Sequence, residues 1–130
     1  MSEESNRYIS AVIDEGLRVT GVTRGHKVHT DEPEENGGKD SAATPTEMLL
    51  SALAGCKLAT MRIVANRKGW NTSGMQIHLE LRQEEDRTII DQHITFPEHL
   101  SEEQRTRLTA VSHKCPVSKI VSGEVRFNDI

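Results

Sequence analysis

Residues 44–69, TPTEMLLSALAGCKLATMRIVANRKG, decide the fold. Thr44-Pro45-Thr46-Glu47 opens a helix as a capping box: Thr44 is the N-cap, Pro45 fills N1, and Glu47 at N3 reaches back. Gly69 stops the helix, so it is expected to run from Thr44 to about Lys68. Its first half is apolar nearly all round, through Met48, Leu49, Leu50, Ala52, Leu53, Ala54, Cys56, Leu58 and Ala59. A helix apolar on every side is buried on every side. In a chain of 130 residues it must cross the centre of the fold or a subunit interface. The second half turns amphipathic, with Arg62, Asn66, Arg67 and Lys68 facing outward. Those late cations suit the negative end of the helix dipole.

Upstream, RYISAVID over residues 7–14 alternates as a strand does. Residues 17–22 and 26–31 read as two more strands, broken at Arg24-Gly25, so an N-terminal β-meander is expected. Residues 32–43 form a polar loop punctuated by Pro33 and Gly37-Gly38, with a solvated acidic run at Glu32, Glu34 and Glu35. Downstream, residues 75–83 put Ile77, Leu79 and Leu81 on one face, and residues 87–96 do the same with Ile90, Ile94 and Phe96. Glu84-Glu85-Asp86 makes the charged turn between them. Ser101 and Gln104 form a second capping box for a helix reaching about His113. Cys115-Pro116 starts a short helical turn to Val121, and Glu124 to Asn128 is expected to form a last strand. Runs of strands and helices, without strict alternation, give an α+β fold of one domain spanning residues 1–130, with antiparallel sheets around a long central helix.

Composition narrows the function. A net charge of -4 and 3% aromatics speak against a nucleic-acid partner, which calls for a basic stripe or stacking platforms. No apolar run is read as a membrane span, and Met1 to Arg7 is polar, so a cytoplasmic protein is expected. A core poor in rings favours association, and an oligomer is expected.

The two cysteines, Cys56 and Cys115, carry the remaining chemistry. In a reducing compartment they read as buried packing, a redox pair or part of a metal site. Cys56 lies mid-helix among small and apolar residues, where an unaided thiol packs like a hydrophobe and is inert. It needs a nearby cation and an opening to react. Cys115 precedes a proline at the start of a helical turn, beside His113 and Lys114, which favours the thiolate. Among the histidines, His26 and His29 fall three apart on a strand and so point to opposite faces, and no spacing matches a structural zinc site. No serine-nucleophile, phosphate-loop or dinucleotide motif occurs.

Several motifs occur in a set order. They are Arg24-Gly25-His26, Asp31-Glu32-Pro33, Gly37-Gly38, Thr44-Pro45-x-Glu47-x-Leu49-Leu50, Ala52-Leu53-Ala54-x-Cys56 and Cys115-Pro116-Val117. Together they resemble the OsmC/Ohr family of thiol-dependent peroxidases, over about Arg7 to Phe127. The resemblance implies an intertwined homodimer with sites at the subunit interface. It implies that Cys56 attacks an organic hydroperoxide, that Cys115 resolves the sulfenic acid as a disulfide, and that a dithiol such as a protein-bound lipoyl group recycles it. No bound cofactor is implied. The family's arginine from the N-terminal strands is matched by Arg24, with Arg18 the second choice. Its catalytic glutamate directly follows the helix-opening proline; Thr46 stands there, and Glu47 comes next. A different class of function is a non-catalytic protein holding a small hydrophobic or electrophilic ligand in the same interface pocket.

Overall fold

The computed structural model describes residues 7–130, so the polar start used in the localisation argument, residues 1–6, lies outside the described residues. The elements run β1 (Ser10–Ile13), β2 (Val19–Thr23), β3 (His26–Thr30), a 3-10 turn (Glu34–Asn36), α1 (Pro45–Arg67), β4 (Gln76–Glu84), β5 (Arg87–Thr95), α2 (Glu102–Ser112) and α3 (Pro116–Ser122). The architecture is α+β with small antiparallel sheets. The described chain forms two compact units, one ending at Leu49 and one from Leu50 to Ile130.

The first unit is the expected meander, β1-β2-β3, antiparallel throughout. Arg24 (φ 49°) and Gly25 (φ 81°) both take left-handed backbone, the geometry of a two-residue turn whose twist matches its strands. Thr23 then faces His26 and Thr20 faces His29, whose Nδ1 lies 3.1 Å from the Thr20 hydroxyl. After β3 the loop folds onto Asp31. Its buried carboxylate accepts the Ser41 hydroxyl at 2.6 Å, the Ser41 amide at 3.0 Å and the Glu32 amide at 2.8 Å. Those bonds, the Ser41 hydroxyl foremost, hold the Asp31 carboxyl down at about 2. The loop passes so close that a side chain at Gly38 would overlap the Glu32 carbonyl. Glycine is required there by close approach alone.

The second unit is a two-stranded sheet with helices on one face. The β4–β5 ladder pairs Gln76 with Thr95 through to Glu84 with Arg87. Ile77, Leu79 and Leu81 alternate inward as expected, and Glu85 (φ 55°) makes the turn. Met61, Ala65, Met75, Leu100 and Leu108 form the buried core, flanked by Trp70, Ile94, Phe96 and Val111. The Arg62 guanidinium fastens the chain after α1 by donating to the Thr72 hydroxyl and carbonyl, both at 2.9 Å. Both capping boxes form: Thr44 with Glu47, and Ser101 with Gln104.

Three expectations need correction. First, α1 is not buried on every side within this chain. Leu53, Lys57, Met61 and Ala65, four apart, form its one buried stripe, while Leu49 and Ile63 stay 42% and 51% exposed. The unit offers packing partners to one face only. Second, the strand expected at Glu124–Asn128 does not form, because no sheet edge of the described chain pairs with it; Phe127 is 94% exposed. Third, α1 is long and apolar enough by composition to cross a membrane, with a mean hydropathy of 1.5 over its most apolar window. Lys57 and Arg62 interrupt the apolar run in the sequence without lowering its mean hydropathy below that of a span.

Candidate functional site

The cysteine site is built by α1 and the start of α3. Pro116 at N1 fixes the backbone for a helical turn and leaves Cys115 as its N-cap, in extended conformation. The Cys115 side chain is thereby turned back onto the turn it caps. Ser118 Oγ lies 3.0 Å from Cys115 Sγ and accepts the thiol proton; the Ser118 amide donates to the same sulfur at 3.4 Å. Once Cys115 ionises, the hydroxyl can reverse and donate.

Cys56 comes to the same place from α1. The Val117 amide, the next in the α3 turn, donates to Cys56 Sγ at 3.5 Å. Cys115 Sγ takes the neighbouring amide, Ser118, so successive amides of one turn hold the two sulfurs. Both thiols are free, Cys56 half-buried and Cys115 completely buried. The 59-residue gap between them in sequence is thus closed by the docking of α3 on α1.

The electrostatics favour ionisation of the inner sulfur. Burial pushes the Cys115 thiol up. The Ser118 hydroxyl and amide, the Cys56 side chain and the positive charge of Lys57 outweigh burial and hold the thiol below its ordinary value. Lys57 is only 6% exposed, and its ammonium donates to the Ser112 carbonyl at 3.1 Å. That carbonyl belongs to the last turn of α2, where a cation is well placed. Ser112 is itself buried; its hydroxyl donates to Thr109 O at 2.7 Å and accepts from Gln92 at 3.1 Å. Beside this network lies a pocket of about 260 Å³. Leu53, Ile90 and Val121 supply its apolar wall and Lys57, His113 and Ser118 its polar one.

The other expected residues lie in the first unit. Arg24 occupies the β2–β3 turn, exposed, with its amide donating to the Tyr8 hydroxyl at 3.4 Å. Arg18 is engaged: its guanidinium donates to the Ser41 hydroxyl at 2.7 Å and carbonyl at 3.3 Å. Glu47 accepts the Thr44 amide at 2.9 Å, so its carboxylate serves the capping box. Sequence reasoning missed Lys57, although it is the only charged residue between Met48 and Met61. It also missed Ser118, whose signal was the spacing Cys115-Pro-x-Ser, an N-cap with a hydroxyl at N3.

An accessible thiol touching a buried, easily ionised one can be oxidised to a sulfenic acid and then closed as a disulfide. A family model described as OsmC-like protein matches residues 38–128. No curated protein sequence matches the chain. Among solved structures, the chain is similar to a protein of Psychrobacter arcticus 273-4 named for an osmotic-stress-induced detoxification response. The TM-score is 0.78 at 22% identity, over 92% of this chain and 91% of that one. It is similar also to an OsmC-like protein of Mycoplasma pneumoniae, with a TM-score of 0.77 at 22% identity over 95% and 90% of the two chains. An organic hydroperoxide resistance protein of Legionella pneumophila gives a TM-score of 0.61 at 23% identity over 91% of each chain. At these identities the likeness speaks for the fold.

Proposed function

The chain belongs to the OsmC-like family, and within that family we propose that it is a thiol-dependent reductase of organic hydroperoxides. The observation that carries this reading is the pair of free sulfurs at the start of α3, one reachable and one buried. Cys56, the reachable one, attacks the outer oxygen of the peroxide as a thiolate. The O–O bond breaks, an alcohol leaves, and Cys56 becomes a sulfenic acid. Cys115 displaces water from it and forms the disulfide. A dithiol, a lipoyl group by class, returns both sulfurs to thiols. The apolar wall of Leu53, Ile90 and Val121 suits an organic peroxide better than hydrogen peroxide.

The reading includes a cytoplasmic homodimer. The uncovered stripe of α1 with Leu49 and Ile63, and the exposed Val125 and Phe127, support a second copy as the covering surface. In that dimer α1 is the core helix of the assembly rather than a membrane span. The guanidinium that activates Cys56 and orients the peroxide is then the partner subunit's Arg24, or the partner subunit's Arg18. The binding-only alternative draws support from Glu47, whose carboxylate is already engaged in capping.

Turnover of cumene hydroperoxide with dihydrolipoamide as reductant tests the proposal. Wild type is expected to consume peroxide, with a loss of about a hundredfold or more in Cys56→Ser, as for removal of a nucleophile. Equal rates in the two proteins reject the peroxidase, and ligand binding without turnover favours the alternative.

A further inference from the structure

The cycle above gives no role to the buried Lys57 beside the sulfur site. Lys57 is 6% exposed, and no carboxylate pairs with it among the described residues. Its ammonium has the Ser112 carbonyl at 3.1 Å, but a neutral carbonyl does not balance a buried charge. No acidic residue lines the pocket it shares with His113, Gln92 and Ser118. Ser118, which lines that pocket with Lys57, is also the hydrogen-bond partner of the completely buried Cys115 thiol, so the cavity brings the ammonium to within one side chain of a group that can become an anion. Lys57 follows Cys56 directly in α1, so the two side chains diverge by about 100° around the helix. One reaches the accessible sulfur site, and the other faces the buried interior beneath it.

We propose that Lys57 is the positioning residue that stabilises Cys115 as the leaving thiolate when the disulfide opens, and that it governs the recycling half of the cycle rather than the peroxide half. This rests on the disulfide reading above. In recycling, the thiolate of a dithiol attacks Cys56, because that sulfur is reachable and Cys115 is not. The Cys56–Cys115 bond breaks, its electron pair leaves on Cys115, and a mixed disulfide forms between Cys56 and the reductant. The reductant's second thiol loses its proton, attacks its own mixed-disulfide sulfur and releases Cys56. The dithiol departs as a disulfide, having given two electrons. A leaving thiolate that is better stabilised leaves faster, and a stabilised reduced form raises the reduction potential of the pair.

Lys57→Gln is the informative variant, since its amide still donates to the Ser112 carbonyl while the charge is gone. Lys57→Arg restores the charge, and Lys57→Met is a second uncharged variant should the first melt early. The full-length chains are oxidised with one equivalent of tert-butyl hydroperoxide and reduced with dithiothreitol. Reduction is expected to slow about tenfold in Lys57→Gln. The exchange equilibrium should shift about tenfold toward disulfide, or about 30 mV. Lys57→Arg should recover most of both. Sulfenic acid formation, measured in a Cys115→Ser background, should change by less than about twofold. Reduction of Lys57→Gln at the wild-type rate and equilibrium overturns the proposal. Absence of any disulfide after peroxide sinks the peroxidase reading instead. In that case the same equilibrium, approached from oxidised dithiothreitol, still decides the role of Lys57.

Discussion

The loop of the first unit and the sulfur site of the second use the same device. In the loop, the hydroxyl and amide of Ser41 both donate to Asp31. At the sulfur site, the hydroxyl and amide of Ser118 both hold Cys115. Each serine dresses a buried acid at the N-terminal side of a turn or loop, and each acid is pulled below its ordinary pKa. The consequences differ because the starting points differ. A carboxyl brought to about 2 stays charged at every physiological pH and works as a fixed latch. A thiol lowered from its usual range moves toward neutrality, where it can exchange protons and electrons. The same pair of serine groups thus gives architecture where the hydroxyl donates to a carboxylate, and reactivity where it faces a thiol.

Breaking the latch should give the larger effect. The folded pKa of Asp31 lies below its unfolded value, so the latch contributes its full stability above about pH 4 and loses it as pH falls toward about 2. Asp31→Asn should therefore melt well below wild type near neutral pH, and the two melting curves should converge in acid. Thermal unfolding followed by circular dichroism from pH 7 down to about 2 measures this. Parallel curves at all pH values would show that the carboxylate charge is irrelevant to the loop.

Breaking the other serine should barely move stability and should change chemistry. Ser118→Ala removes one hydrogen bond, a loss of about 1 kcal/mol. It should raise the pKa of Cys115, seen in the ultraviolet absorbance of the thiolate against pH. The sign follows from the pairing: with the thiolate less stabilised, the ionised form appears at higher pH. An unchanged titration would mean that Ser118 is only a capping neighbour, and the parallel with Ser41 would fail.

Much of this was legible before any coordinates. The capping boxes at Thr44 and Ser101, the alternation of Ile77, Leu79 and Leu81, and the Arg24-Gly25 turn all depend on local spacing, which the sequence displays directly. So did the likeness of motifs that ended in Cys115-Pro116-Val117. What stayed hidden was tertiary. Asp31 read only as the end of the third strand and a member of the Asp31-Glu32-Pro33 motif, because only the fold shows that Ser41 returns to cover it. Lys57 gave no sign of a role within its apolar helix, because its partner Ser112 lies 55 residues away. The missing strand near Glu124 failed for the converse reason: its pattern is strand-like, but a strand needs an edge to join.

The account stands on the contact between Cys56 and Cys115. Its most direct test is the intact mass of the protein after one equivalent of organic hydroperoxide, with peptide mapping. A loss of about two daltons, located in a peptide pair joined through Cys56 and Cys115, is the predicted result. An unchanged mass, with both thiols still open to alkylation after denaturation, would contradict it.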